Sequence, residues 1–212
     1  MIAWETVVAF FAAAVLLALT PGPDNIFVLT QSALKGRAAG IRVTLGLSTG
    51  LIVHTLAVAL GVAAIFQTSA LAFSLLKYLG AAYLLYLAYG AFRASFERMQ
   101  QTAEPDETLP ESRGNLYLRG IVMNVTNPKV SIFFLAFLPQ FVDVNSGAIP
   151  LQIAQLGGLF MLATLLVFGG LALLAGSVGE RVVSSQRGQR VMNRIAACVF
   201  AGLALKLATA ER

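Results

Sequence analysis

Two oppositely charged side chains in apolar surroundings are the residues of this chain best suited to chemistry. Asp24 lies in LALTPGPDNIFVL and Lys129 in NVTNPKVSIFF, each directly after a proline. If these segments span a membrane, each ionisable group costs about 2.5–3.5 kcal/mol at the bilayer centre and needs a polar partner. Two hypotheses are open. The groups pair with each other as a structural lock, or they face a common cavity and bind the two charged ends of a zwitterion.

The composition predicts that the surrounding solvent is lipid. The chain has 212 residues, of which 58% are hydrophobic and only 12% charged, whereas soluble domains carry about 25% charged residues. Its mean hydropathy is +0.78. No Asp, Glu, Lys or Arg occurs between Arg42 and Lys77, or between Asp143 and Glu180. Apolar stretches of about 20 residues are typical of membrane-spanning helices, so we expect an all-α integral membrane protein.

Hydropathy predicts six transmembrane helices, separated by short polar segments. They run roughly over Glu5–Leu34, Val43–Phe66, Ala70–Phe92, Tyr117–Val142, Ile149–Ser177 and Val191–Ala208. The first is expected to be a retained span, because no Lys or Arg precedes it as a signal peptide would require.

A hydrophilic connector divides these spans into two groups of three within one membrane domain. Residues 1–94 form the first three-helix repeat, residues 95–115 a cytoplasmic linker, and residues 116–212 the second repeat. Because each half has an odd number of spans, a duplicated half enters the membrane the opposite way up. The sequence therefore predicts two inverted repeats, an arrangement known from transporters.

Basic residues predict the orientation, because cytoplasmic loops carry the Lys and Arg excess. Most of the 15 basic residues flank alternate connections. They are Lys35, Arg37 and Arg42 after the first span, Arg93, Arg98, Arg113 and Arg119 around the third connection, and Arg181, Arg187, Arg190 and Arg194 around the fifth. Both termini are thus predicted to be periplasmic. Topology accounts for the net charge of +5 without any nucleic-acid partner.

The first predicted span is too long to be a straight helix. From Glu5 to Lys35 is about 30 residues, or ~45 Å of helix, across a hydrocarbon core of ~30 Å. Pro21 and Pro23 each remove a backbone donor, and Gly22 between them permits almost any backbone angle. We expect the helix to break there, near mid-membrane.

The fourth predicted span repeats this pattern. Pro128 follows Arg119 by about ten residues, or ~15 Å, which again is mid-membrane. Aligning Pro23 with Pro128 places Asp24 on Lys129. A single proline kink would be unremarkable in a membrane helix, but irregular backbone at this depth is tolerated only beside protein or a wet cavity. Matched breaks in two halves indicate a transporter's binding site.

These considerations give a set of candidate site residues around the two breaks. The substrate-binding candidates are Thr20, Gly22, Asp24, Asn25, Thr126, Asn127 and Lys129, and the helix-breaking residues are Pro21, Pro23 and Pro128. Asp24 and His54 are candidates for proton coupling. His54 also fits a second interpretation, a packing histidine with a hydrogen-bonded ring.

The sequence favours transport over catalysis. It has one histidine and one cysteine, Cys198, which excludes an internal disulfide or a paired-cysteine redox site. No nucleophile–base set or metal-binding motif is recognisable, so we expect no enzyme activity, no metal and no cofactor.

Several motifs resemble the LysE/RhtB family of bacterial amino-acid exporters. They are ALTPGPDNIFVL, KGRAAGIR, GLSTGLIVH and LKYLGAAYLLYLAYGAFR in the first half, and TNPK and FFLAFLPQFV in the second. The family pattern matches Thr20, Pro21, Gly22, Pro23, Asn127, Pro128 and Lys129. The resemblance implies a six-helix, multi-pass protein of the bacterial inner membrane that exports amino acids or close derivatives, driven by the proton motive force.

The expected function is therefore efflux of a neutral or hydroxylated amino acid by proton antiport with alternating access. The expected partners are the amino-acid substrate, protons and the lipid bilayer, and a homo-oligomer is left open. The alternative is a passive channel or a structural membrane protein without coupled transport.

Overall fold

The computed structural model of the protein describes residues 2–20, 22–68, 70–96, 115–143, 148–175 and 186–209. Throughout these ranges every regular element is helical. Pro21 and most of the predicted linker, residues 97–114, lie outside the described residues.

Eight α-helices make up the described chain, and we number them in order. They are α1 (Trp4–Leu19), α2 (Pro23–Lys35), α3 (Arg37–Thr68), α4 (Ala70–Ala94), α5 (Leu116–Thr126), α6 (Pro128–Ile132), α7 (Ile149–Leu174) and α8 (Gln186–Thr209). The short α6 continues as a π turn, Phe133–Phe137, and a 3-10 turn, Leu138–Phe141.

Helices α1 and α2, and likewise α5 and α6, are bent pairs. The angle is 61° between α1 and α2, and 52° between α5 and the segment Pro128–Phe141. At the second break Asn127 has an extended backbone with ψ 109°, and Pro128 is the first residue of the next helix. Pro23 occupies the same place in α2. A proline suits this position because the missing N–H has no helical partner there.

The structure supports two to four of the six predicted membrane spans. Two continuous helices are long and apolar enough to cross a membrane within the described residues, Arg37–Gly61 and Ile149–Leu174. The two bent pairs raise the count to four if each pair is one span. Helices α4 and α8 have 25 and 24 residues, but their described parts do not meet the same criterion. Spans three and six stay predictions.

Helix packing joins the two halves of the chain throughout. Helix α3 packs against α2, α5 and α7, helix α1 packs against α7, and α4 packs along α8. The crossing of α3 and α5 is close at Gly46 and Gly120, where a side chain on Gly46 would collide with the Tyr117 carbonyl. Small residues allow such backbone approach between membrane helices.

A cluster of aromatic rings fixes the second break against its neighbours. Phe133 of the π turn lies 5.9 Å from Phe10 of α1 and 5.2 Å from Phe160 of α7, measured between ring centroids. Phe134 lies 5.1 Å from Phe160. These rings are almost fully buried, so packing holds the region after Pro128 in one place.

Many large apolar side chains face outward from the bundle. Examples are Leu56 and Leu60 on α3, Leu79 and Leu85 on α4, and Leu166 on α7. Extensive exposed apolar surface marks a contact with membrane or protein, which agrees with the lipid surroundings indicated by the composition.

Candidate functional site

The end of helix α1 presents carbonyl groups that have lost their helical donors. The carbonyl of Leu17 would bond to the N–H of residue 21, but Pro21 has none. In its place Nζ of Lys129, from α6, donates to the Leu17 carbonyl at 3.2 Å and to the Thr20 carbonyl at 3.0 Å. Nδ2 of Asn25 donates to the Ala18 carbonyl at 2.7 Å. Side chains beyond the break thus satisfy this helix end.

Asp24 connects to the other broken pair through Asn127. Oδ2 of Asp24 accepts a hydrogen bond of 2.9 Å from Nδ2 of Asn127. Oδ1 of Asn127 accepts a bond of 3.0 Å from the backbone N–H of Lys129 and so caps α6. Asp24 is buried, with 3% of its surface exposed, and it lies in the first turn of α2, where the helix dipole favours a negative charge.

Asp24 and Lys129 lie beside the same break but do not hydrogen-bond to each other. Within the described chain, the carboxylate bonds to Asn127 and the ammonium bonds to the carbonyls of α1. Gly22 leaves room for the ammonium, because a Cβ there would lie 3.2 Å from Nζ of Lys129.

His54 of α3 reaches the second break. The carbonyl of Asn124 lies four residues before Pro128, so it has no donor at the α-helical position and instead accepts from the Asn127 N–H at 3.1 Å. Nε2 of His54 lies 3.1 Å from this oxygen. A carbonyl oxygen only accepts, so Nε2 carries the hydrogen. The ring also packs at 5.5 Å from Phe134. This contact gives His54 a structural role at the break, while proton coupling through it stays a prediction.

Other predicted residues contribute less than expected. Thr126 is exposed, and its hydroxyl donates to the Val122 carbonyl of its own helix at 2.8 Å. The Thr20 hydroxyl likewise donates to the Leu16 carbonyl at 2.7 Å. The group of Thr20 that bonds to Lys129 is its backbone carbonyl. Pro23 and Pro128 begin their helices, and Pro21 lies outside the described residues.

A small cavity lies between the two breaks and α7. Its lining residues are Leu17, Ala18, Asp24, Asn124, Lys129, Val130, Phe160, Thr164 and Phe168. The space open to the centre of a water-sized molecule is about 10 Å³, which is room for roughly one water. An amino acid does not fit into this space.

Sequence reasoning missed Asn124 and the whole contribution of α7. Asn124 had a usable signal, since it is a polar residue one helical turn before Asn127 in an apolar span. Thr164 had a weaker one, as a hydroxyl residue within the apolar run MLATLLVF. Nothing in the sequence pointed to Phe160 and Phe168.

Three buried side-chain oxygens near the breaks have no hydrogen-bond partner in the described structure. They are Oδ1 of Asp24, Oδ1 of Asn25 and Oδ1 of Asn124. A buried acceptor without a donor is costly, so a solute bearing N–H or O–H groups would be favoured here. Within the described residues no group of three His, Cys, Asp or Glu side chains could hold a metal ion.

Comparison with known proteins agrees with this architecture. The family model described as LysE type translocator matches residues 15–211. The chain belongs to the LysE family of translocators.

Curated bacterial proteins match almost the whole chain. It is 32% identical to an uncharacterised membrane protein of Vibrio cholerae, and 31% identical to the homoserine/homoserine lactone efflux protein of Salmonella typhimurium, in each case over 96% of both chains. It is 29% identical to an uncharacterised membrane protein of Bacillus subtilis, over 95% of this chain and 98% of the other. No solved structure matches it.

Proposed function

We propose that this protein exports amino acids or close derivatives, neutral or hydroxylated, from the cytoplasm across the bacterial inner membrane. The observation that carries the proposal is the hydrogen-bonded connection of Asp24 and Asn127 between two broken helices, with Lys129 beside the same cavity. The Salmonella relative named for homoserine efflux supports the substrate class, because homoserine is a hydroxylated amino acid.

The charges at the breaks fit the two ends of a zwitterion. The free Oδ1 of Asp24 and the carbonyls that end α1 provide acceptors for an ammonium group. Lys129 provides the cation for a carboxylate, and the N-terminal end of α2 adds a favourable dipole. Half-helix ends used in this way are typical of transporter binding sites.

Transport would proceed by alternating access between two inverted three-helix repeats. The helix packing supports this symmetry, since exchanging the halves converts the contact of α1 with α7 into that of α5 with α3. The contacts of α3 with α7, and of α4 with α8, are converted into themselves. Because the cavity is small, a solute enters only if the broken helices move apart. Rocking of one repeat against the other supplies that movement.

Proton antiport would drive the export, with Asp24 as the group that exchanges protons and His54 as the second candidate. Asp24 suits this task because one of its carboxylate oxygens is buried and has no partner among the described residues, so protonation and substrate binding would compete at the same atom. Both termini would face the periplasm, following the basic loops.

Reconstituted protein in proteoliposomes tests the function. The vesicles are loaded in turn with labelled homoserine, threonine, leucine, lysine and glutamate, and a pH gradient is imposed. Export of homoserine or another neutral amino acid that stops when an uncoupler collapses the gradient supports coupled transport. Equal release with and without the uncoupler would instead identify a passive channel, and no release of any solute would contradict export.

A further inference from the structure

The ammonium of Lys129 is held as an amino-acid ammonium would be. It donates to the carbonyls of Leu17 at 3.2 Å and Thr20 at 3.0 Å. An ammonium has three donors, so one remains after these two bonds. In the described chain the buried Oδ1 of Asp24, which lines the same cavity, has no partner.

We propose that these oxygens form a binding site for a primary ammonium group, and that Lys129 occupies its two carbonyls as an internal surrogate of the ligand. We call this set, the Leu17 and Thr20 carbonyls with Oδ1 of Asp24, the ammonium site. The proposal rests on the proposed function and adds an exchange to it. A substrate carboxylate draws Lys129 away, and the substrate's own ammonium takes its place.

The position of the ammonium site explains its preference for a cation. The carbonyls belong to the C-terminal end of α1, where the helix dipole favours positive charge. Pro21 leaves the Leu17 carbonyl without a backbone donor, so the oxygen is available to any N–H that enters. A quaternary ammonium carries charge but no N–H and cannot make these bonds. Among organic ammonium groups only a primary one has three N–H donors for the three oxygens of the site, so the ligand class is primary amines.

The small size of the cavity also follows from this arrangement. The backbone of Gly22 lies against the ammonium of Lys129, since a Cβ added to Gly22 would lie 3.2 Å from Nζ. The side chain of Lys129 thus lies where a solute would lie, and the cavity beside it has room only for about one water. A solute can bind here only after the Lys129 side chain has moved away.

A lysine-to-alanine variant tests the site directly. Lys129→Ala deletes three carbons and one nitrogen, which are the heavy atoms of propylammonium. We expect propylammonium chloride to raise the unfolding temperature of the detergent-purified variant by about 3 °C or more, increasing with concentration, because a ligand of the folded state stabilises it. Tetramethylammonium chloride at equal concentration is the control for charge and ionic strength.

Two matched proteins complete the design. Lys129→Met fills the space but offers no ammonium. In the wild type the ammonium of Lys129 already bonds to the two carbonyls. Neither protein is therefore expected to respond to propylammonium. If Lys129→Ala unfolds on extraction, we expect folded, monodisperse protein only when propylammonium is present during purification.

Several results would overturn the proposal. They are no response of Lys129→Ala to propylammonium, an equal response to tetramethylammonium, an equal response in Lys129→Met or the wild type, and failure to recover Lys129→Ala in either salt. Amine binding to purified protein does not depend on flux. If propylammonium does not bind, export in proteoliposomes can still occur. If export fails, amine binding can still be measured.

Discussion

Nδ2 of Asn127 donates a hydrogen bond of 2.9 Å to Oδ2 of Asp24, across 103 positions of sequence. The same Asn127 caps α6 through its Oδ1. One amide therefore caps the N-terminus of one half-helix and bonds to one carboxylate oxygen at the start of the other. This side chain therefore connects the two breaks.

Asn127→Ala is expected to destabilise the protein and to reduce export strongly. The change removes a helix cap and leaves the buried Asp24 carboxylate without its donor, and a hydrogen bond to a charged group contributes about 1.5–3 kcal/mol. Asn115→Ala is the control, because Asn115 also caps a helix, accepting from the Tyr117 N–H at 3.1 Å, but at an exposed position. Equal unfolding temperatures and equal efflux rates for the two variants would contradict the bridging role.

Asp24→Asn is expected to abolish the pH dependence of export and to reduce its rate by at least about tenfold, which corresponds to about 1.4 kcal/mol. The amide keeps the shape of the carboxylate but neither exchanges a proton nor carries charge. Initial efflux rates in proteoliposomes at several pH values provide the measurement. Thr126→Ala is the control, since the exposed Thr126 hydroxyl bonds only within its own helix. A normal pH profile in Asp24→Asn would exclude Asp24 as the coupling group.

The breaks could be predicted from sequence because proline acts locally. Pro21, Pro23 and Pro128 remove N–H donors wherever the chain folds, and segment lengths place them in the middle of their spans. The confirmed family membership was likewise carried by short motifs around these prolines.

Which side chains point into the site and which point to the surface was harder to predict. Thr126 was expected in the site and is exposed, whereas Asn124 was overlooked and is buried. Asn124 and Asn127 are three residues apart and share a face of the helix path, while Thr126 lies on another. Helical periodicity could have corrected this, but the contribution of Phe160 and Phe168 on α7 depends on tertiary packing that no local pattern records.

His54 is expected to tolerate replacement by another donor. His54→Ala removes the Nε2 donor that lies 3.1 Å from the Asn124 carbonyl, and this oxygen keeps the Asn127 backbone N–H at 3.1 Å. The expected cost is about 0.5–1.5 kcal/mol, the net contribution of one hydrogen bond. His54→Gln keeps an N–H and should retain more of the thermal stability and a normal pH profile of export. If His54→Gln is stable but exports independently of pH, His54 takes part in proton coupling and not only in holding the break.

Gly157→Ala is expected to weaken the contact between α7 and α3, whereas Gly158→Ala is not. A Cβ at Gly157 would lie 2.6 Å from Cγ2 and 3.1 Å from Cβ of Thr55, while a Cβ at Gly158 meets nothing within 4 Å. Thr55 is buried and its hydroxyl bonds to the Leu51 carbonyl at 2.8 Å, and a β-branched side chain in a helix has little freedom to turn away.

Overpacking of this kind typically costs about 1–3 kcal/mol, whereas alanine in place of an unhindered helical glycine gains about 0.5–1 kcal/mol. Unfolding temperatures of the two variants in the same detergent should therefore differ in sign relative to the wild type. Because α3 and α7 come from opposite halves of the chain, efflux rates should fall in Gly157→Ala alone. A neutral effect at both positions would mean that close packing of α7 on α3 at Gly157 contributes neither to stability nor to transport.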